Sequence, residues 1–182
     1  MDLFEKYKKL NINGELISLE YREIDEPPYF CYPVNAEAIG FEGAILYCFL
    51  PEYGDIVFAV NPESYADMYV YPIALNFEDF IRIILACGSA NPAEQVIWMS
   101  KEQFNEHLAE EKQRETKEQR DILSLLQSEF NLIPMTNPFE YVKALQKDFD
   151  YSKIQYSDEY YDLISGNNAN VEFEPVFIKI TK

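Results

Sequence analysis

The chain has 182 residues, of which 48% are hydrophobic, with 14 Tyr and 13 Phe. That is enough apolar and aromatic material for one packed domain, and it excludes disorder as the dominant state. The net charge of −17 argues against nucleic-acid backbones and anionic membranes as partners, because both call for stripes of Lys and Arg.

In chain order, MDLFEKYKKL is amphipathic and charged, unlike a signal peptide, and predicts a short helix over residues 2–10 with Asp2 as its cap. NING makes a turn, and the weak alternation of ELISLEY predicts a strand over 15–21. DEPPYFCYP (25–33) is irregular, since Pro27 and Pro28 remove donors and restrict their neighbours. NAEAI opens a short helical turn at Asn35 that Gly40 ends. AILYCFL (44–50) and DIVFAV (55–60) form an antiparallel hairpin across Pro51, Glu52, Tyr53 and Gly54. After a turn at 61–64, DMYVYPIAL (67–75) adds a third strand, placed at an edge because Pro72 interrupts its ladder. The product is a meander.

Helix 77–86 follows, capped by Asn76, with Glu78 and Asp79 in the first turn where the helix dipole favours them. Its stripe of Phe77, Phe80, Ile81, Ile84 and Leu85 packs on the adjacent meander. Further helices are expected at 91–99 (Asn91 cap, Pro92 at the first position), at 100–111 (capping-box spacing of Ser100 and Gln103), at 117–130, at 137–149 and at 157–164. VEFEPVFIKI (171–180) alternates as a last strand. The composition shift divides the chain into an α+β core, 1–112, and a helical extension, 113–182, packed on the same domain.

Charge is distributed unevenly. No Lys or Arg occurs between Arg22 and Arg82, while Glu23, Asp25, Glu26, Glu37, Glu42, Glu52, Asp55, Glu63, Asp67, Glu78 and Asp79 fill that window. An acidic soluble surface explains this, and so does a face that attracts a basic partner.

Chemistry is sparse. One histidine, His107, cannot build a His-based triad or a multi-His metal site alone. Phosphate-binding glycine loops and the GxSxG elbow are absent. Glu52 and Asp55 flank one turn, Glu63 and Asp67 the next, where acids ordinarily rim turns. Cys48 and Cys87 lie in apolar runs without bases, and with Cys31 they form no CxxC pair. They therefore read as reduced, inert thiols of a cytoplasmic protein. No run is long enough to span a membrane. A non-enzymatic protein without metal or cofactor is expected.

Tyrosines are more informative. Tyr47, Tyr53, Tyr65, Tyr69 and Tyr71 gather around the meander, either as core or as interface residues. Alternation places Tyr69 and Tyr71 on one face and Met68 and Val70 on the other. A partner-binding surface is expected at Glu52, Tyr53, Asp55, Asp67, Tyr69 and Tyr71, with side chains pointing outward.

The order GAILYCFLPEYGDIVFAVNPESYADMYVYPIALNFEDFIRIIL (43–85) resembles the core of the SUKH superfamily, the cell-wall glucan synthesis regulator-like and bacterial toxin-immunity family. Ala74, Asn76, Phe77, Phe80 and Ile81 stand at the positions of that family's strand-to-helix motif. The likeness spans about residues 20–87, and the tail after 112 departs from it. The resemblance implies an α+β fold, a twisted, mainly antiparallel sheet packed by helices. It also implies function by protein binding: a cytoplasmic immunity-type inhibitor of a toxin or, alternatively, a regulatory or scaffold protein without one. The acidic charge adds the expectation of a basic toxin, such as a nuclease whose nucleic acid the surface mimics.

Overall fold

A computed structural model of the chain describes residues 3–167. Four strands pair antiparallel in the order they occur, β1 (Glu37–Glu42), β2 (Ile45–Phe49), β3 (Val57–Val60) and β4 (Val70–Ala74). Gly43 holds a φ of +56° in the tight β1–β2 turn, a conformation that glycine adopts without strain. Tyr47 pairs with Ala59 and Ala59 with Tyr71, so these side chains point to the same face across three strands.

Neither face of the sheet is solvated. Ile39, Tyr47, Val57, Ala59, Tyr71 and Ile73 are buried on one side beneath helices. Phe41, Leu46, Cys48, Phe58, Val60 and Val70 are buried on the other. This explains why the strand sequences are near-continuously apolar, where a half-exposed antiparallel sheet would alternate.

Seven α-helices occur among the described residues: α1 (Leu3–Tyr7), α2 (Phe77–Cys87), α3 (Asn91–Gln95), α4 (Lys101–Arg114), α5 (Lys117–Phe130), α6 (Pro138–Gln146) and α7 (Asp158–Asn167). The fold is α+β. α2 is the central helix of the first layer. Asn76 caps it by accepting from the Asp79 amide at 2.8 Å, and Gly88, with φ +90°, returns its amide to the Ile84 carbonyl. Phe77 packs on Phe4 and Tyr7 of α1, and Phe80 packs on Tyr47. α6 lies along the outer strand β4, and Gln146 donates to the Pro72 carbonyl at 3.2 Å. The proline strand is at the sheet edge, as expected, and that edge is covered.

The second face is covered largely by irregular chain. Residues 24–36 and 149–160 run together over it and meet where the Val34 amide donates to the Gln155 carbonyl at 3.0 Å. Tyr32 reaches through to the Ala44 carbonyl at 2.6 Å, while Tyr156 stacks on Tyr160 at 3.8 Å.

Four local expectations are corrected. Residues 15–21 form no named strand: Gly14–Ile17 is a 3-10 turn, and only Glu20 bridges Phe41. The cause is Gly14, where a Cβ would lie 2.2 Å from the Leu19 carbonyl oxygen, so the chain folds tightly back on itself. The helical turn expected at Asn35–Gly40 is the strand β1, since pairing with β2 overrides local propensity. The helix expected over 91–99 ends at Gln95, with Ala90 at its N-cap position instead of Asn91. Tyr69 and Tyr71 do not share a face, because Tyr69 precedes β4 and packs on the second cluster while Tyr71 enters the first. The strand expected over 171–180 lies outside the described residues.

Segments after residue 112 are integral to both layers. Leu126, Met135 and Val142 belong to the helical core, and Phe149, Tyr156 and Tyr160 pack against the second. A chain ended at residue 112 is therefore expected to lose its cooperative thermal transition, read by circular dichroism. Asn76→Ala should cost about 1 kcal/mol through the lost cap, lowering the melting temperature by about 2–4 °C for a domain of this size.

Candidate functional site

An open groove of about 1070 Å³ crosses the end of the sheet where β2 turns into β3. Leu3, Phe4 and Glu5 of α1, Lys8, Tyr21, Glu23 and Ile24 line it, together with the start of β1 at Glu37 and Ala38. Pro51, Gly54 and Asp55 of the β2–β3 connection and Asn76–Glu78 at the start of α2 complete it. Its apolar lining combines Leu3, Ile24 and Pro51 with four aromatics, Phe4, Tyr21, Phe49 and Phe77, and Phe4 is in edge contact with Tyr21 at 6.0 Å and with Phe49 at 5.6 Å.

Acids dominate the polar lining. Glu5, Glu23, Glu37, Asp55 and Glu78 are all exposed, and among the described residues they face a single base, Lys8. Lys8 is already engaged. It pairs with Glu5 and lies over the rings of Phe4 at 4.9 Å and Tyr21 at 5.8 Å. The hydrogen bond to Glu5 holds its ammonium above the usual lysine range. One carboxylate is thus matched and four stand without an opposing base in the groove. Glu78 also opposes the partial positive charge at the start of α2, which reduces what that helix end offers an anion.

The six residues expected to bind a partner divide between opposite ends of the sheet. Glu52, Tyr53 and Asp55 lie at the β2–β3 end, whereas Asp67 and Tyr69 precede β4 at the other, since an antiparallel meander alternates its turns. Strands of four or five residues separate the ends by roughly 13–17 Å. Only Asp55 lines the groove. Glu52 accepts a hydrogen bond from the Asn35 side-chain amide. Tyr53 is built into the second layer: its ring packs on Phe58 and Phe149, while its hydroxyl donates to the Asp150 carbonyl at 2.9 Å and accepts from the Lys153 amide at 3.0 Å. Tyr69 is half-buried against Phe30 and Tyr160. Tyr71, expected to point outward, is buried and donates its hydroxyl to Glu94. Asp67 is exposed but stands apart from the groove.

The groove residues missed in the sequence are Phe4, Tyr21 and Phe49, with Glu5, Glu23, Glu37 and Glu78. The signal for Glu23, Glu37 and Glu78 was the base-free window. Nothing local tells that α1 folds against the end of β2, because the contact of Phe4 with Phe49 spans more than 40 residues of sequence.

The other candidates for chemistry are occupied structurally. All three thiols are buried and free, and burial pushes those of Cys31 and Cys87 up to about 12 and that of Cys48 higher still. His107 is half-buried on α4. Among the described residues, no three or more His, Cys, Asp or Glu side chains are grouped to hold a metal ion, and no helix is long and apolar enough to cross a membrane. Comparison with family models, with curated proteins and with solved structures returns no match.

Tyr53→Phe removes both hydroxyl bonds that tie residues 150–153 to the sheet end. It is expected to destabilise the protein by about 1 kcal/mol, measured by denaturant titration.

Proposed function

We propose that the chain is a non-enzymatic protein-binding module that engages a basic protein through the acidic groove, and that it acts as an immunity-type inhibitor of the kind the SUKH resemblance implies. The observation that carries this is charge complementarity. Five exposed carboxylates and one already-paired lysine surround an aromatic lining, in a chain of net charge −17. Exposed acids steer a cationic partner and set its association rate, while an aromatic lining supplies the apolar area that holds it. Three buried free cysteines are compatible with a reducing, cytoplasmic site of action.

The test is comparative capture from the native host at two salt concentrations, with Glu37→Lys/Asp55→Lys/Glu78→Lys as the matched bait. These three side chains are exposed, so the variant should keep the wild-type circular dichroism spectrum. A basic protein, retained by the wild type at low salt, released as salt rises and reduced at least about tenfold by the triple reversal, is expected. Asp67→Lys, at the far end of the sheet, should leave capture intact. Salt-insensitive capture, or capture equal for wild type and triple variant, would overturn the assignment of the groove and favour a scaffold role.

A further inference from the structure

At the opposite end of the sheet from the groove lies a smaller pocket of about 250 Å³, between the β1–β2 turn, the β3–β4 connection and α3. We propose that this pocket binds an alkylammonium group, its charged head between Glu42 and Glu94 and its stem against Tyr65 and Trp98.

Glu94 is the starting point. It is 2% exposed, on the first turn of a helix of only five residues. Its Oε1 accepts from the Tyr71 hydroxyl and, at 2.7 Å, from the Asn61 side-chain amide. Both bonds fall on the same oxygen, which leaves Oε2 for the pocket that Glu94 lines. Glu42 is fixed from two sides, accepting from Ser18 at 3.0 Å and from Asn91 at 2.8 Å. Neither carboxylate pairs with a Lys or Arg among the described residues, and no base lines the pocket. Buried carboxylates ordinarily have a cationic or metal partner, or take up a proton.

Tyr47 supplies a second, independent observation. It is 0% exposed and does not line the pocket; among the described residues its hydroxyl makes no well-formed hydrogen bond, and Glu42 is the acceptor it faces, with Glu94 and Tyr71 also acting on it. A buried hydroxyl this poorly satisfied behind two carboxylates shows that their polar surroundings are incomplete. A cation in the pocket would give both acids a counter-charge.

The rim narrows the chemistry. Tyr65 is 87% exposed and Trp98 36% exposed, and the two meet edge to face at 5.6 Å. Exposed aromatics beside acids favour an organic cation, whose stem they cover and whose charge their faces attract. An ammonium has three donors radiating from one nitrogen, which suits acceptors arriving from separate elements. A guanidinium presents a planar fork that pairs with both oxygens of one carboxylate, and Glu94 Oε1 is already doubly used.

Trp98 is the only tryptophan in the chain, so its fluorescence reports this rim. Butylammonium chloride, titrated against ionic-strength-matched sodium chloride, is expected to change that fluorescence saturably, while n-butanol does not. Glu94→Gln keeps an acceptor for Tyr71 and Asn61 and should weaken butylammonium about tenfold, as loss of a charge-assisted contact. Tyr65→Ala, at an exposed position where folding is not at risk, should weaken it about threefold. Two further ligands distinguish the source of the amine. Tighter binding of Nα-acetyl-lysine methylamide than of spermidine assigns the pocket to a lysine side chain of a partner, and the reverse order to a free polyamine. No saturable change, an equal response to n-butanol, or undiminished binding by Glu94→Gln with a native circular dichroism spectrum would overturn the proposal. None of these outcomes depends on the groove, whose charge-reversal variants leave this pocket untouched.

Discussion

A four-stranded antiparallel sheet that buries both of its faces obliges the rest of the chain to provide two covers. β2 and β3 carry Tyr47, Val57 and Ala59 to one side and Leu46, Cys48, Phe58 and Val60 to the other, so exposing either side would put large apolar area in water. The first cover is the helical layer centred on α2. The second is largely irregular chain, residues 24–36 and 149–157 with the start of α7, in which tyrosine predominates over leucine. Tyrosine suits that role because a segment without regular structure leaves backbone carbonyls and amides to satisfy. Tyr32 and Tyr53 each bury a ring edge against the sheet while spending a hydroxyl on the backbone, at Ala44, Asp150 and Lys153. Much of the tyrosine abundance is thus explained by packing.

This two-sided burial also decides what the sequence could reveal. The hairpin strands, the edge position of Pro72, α2 between Asn76 and Gly88, and α5 over Lys117–Phe130 are local signals of composition, cap and period, and all appear where those signals place them. β1 was hidden because Asn35–Gly40 has the composition of a turn. Its extended form comes from pairing with β2 and from Gly40, where a Cβ would stand 2.6 Å from a Leu19 methyl. The outward placement of Tyr71 failed for the same reason. Alternation sorts side chains into two faces but cannot say that both are inside. The groove was half legible, through its missing bases. The Glu94 pocket was not legible, since a glutamate in the first turn of a helix is ordinarily a surface residue favoured by the dipole.

The two ends of the sheet hold negative charge in different physical states. In the groove the carboxylates are hydrated, so each contributes little alone, and their summed field falls off within a Debye length. That arrangement favours rapid, salt-sensitive encounter with a large cationic surface. In the pocket one carboxylate, Glu94, is desolvated, beside the half-buried Glu42 and the exposed Glu63. Burial raises the affinity of Glu94 for a proton, its repulsion from Glu42 adds to this, and the hydrogen bonds from Tyr71 and Asn61 oppose it. Such a site responds to one correctly placed charge and is largely indifferent to bulk salt.

The buried carboxylate also affects stability. A carboxylate whose folded pKa lies above its unfolded value binds its proton more tightly when folded. Its contribution to stability is fully present below the unfolded value and is lost as pH rises through the folded one. Glu94 therefore weakens the fold as it ionises. A cation bound beside it would offset that penalty, and by mass action would stabilise the folded chain by an amount that grows with the logarithm of its concentration above Kd. At Glu94 the excess of acid over base is then more than a matter of solubility, since a cation placed beside it would gain a thermodynamic advantage that a neutral group of the same shape lacks.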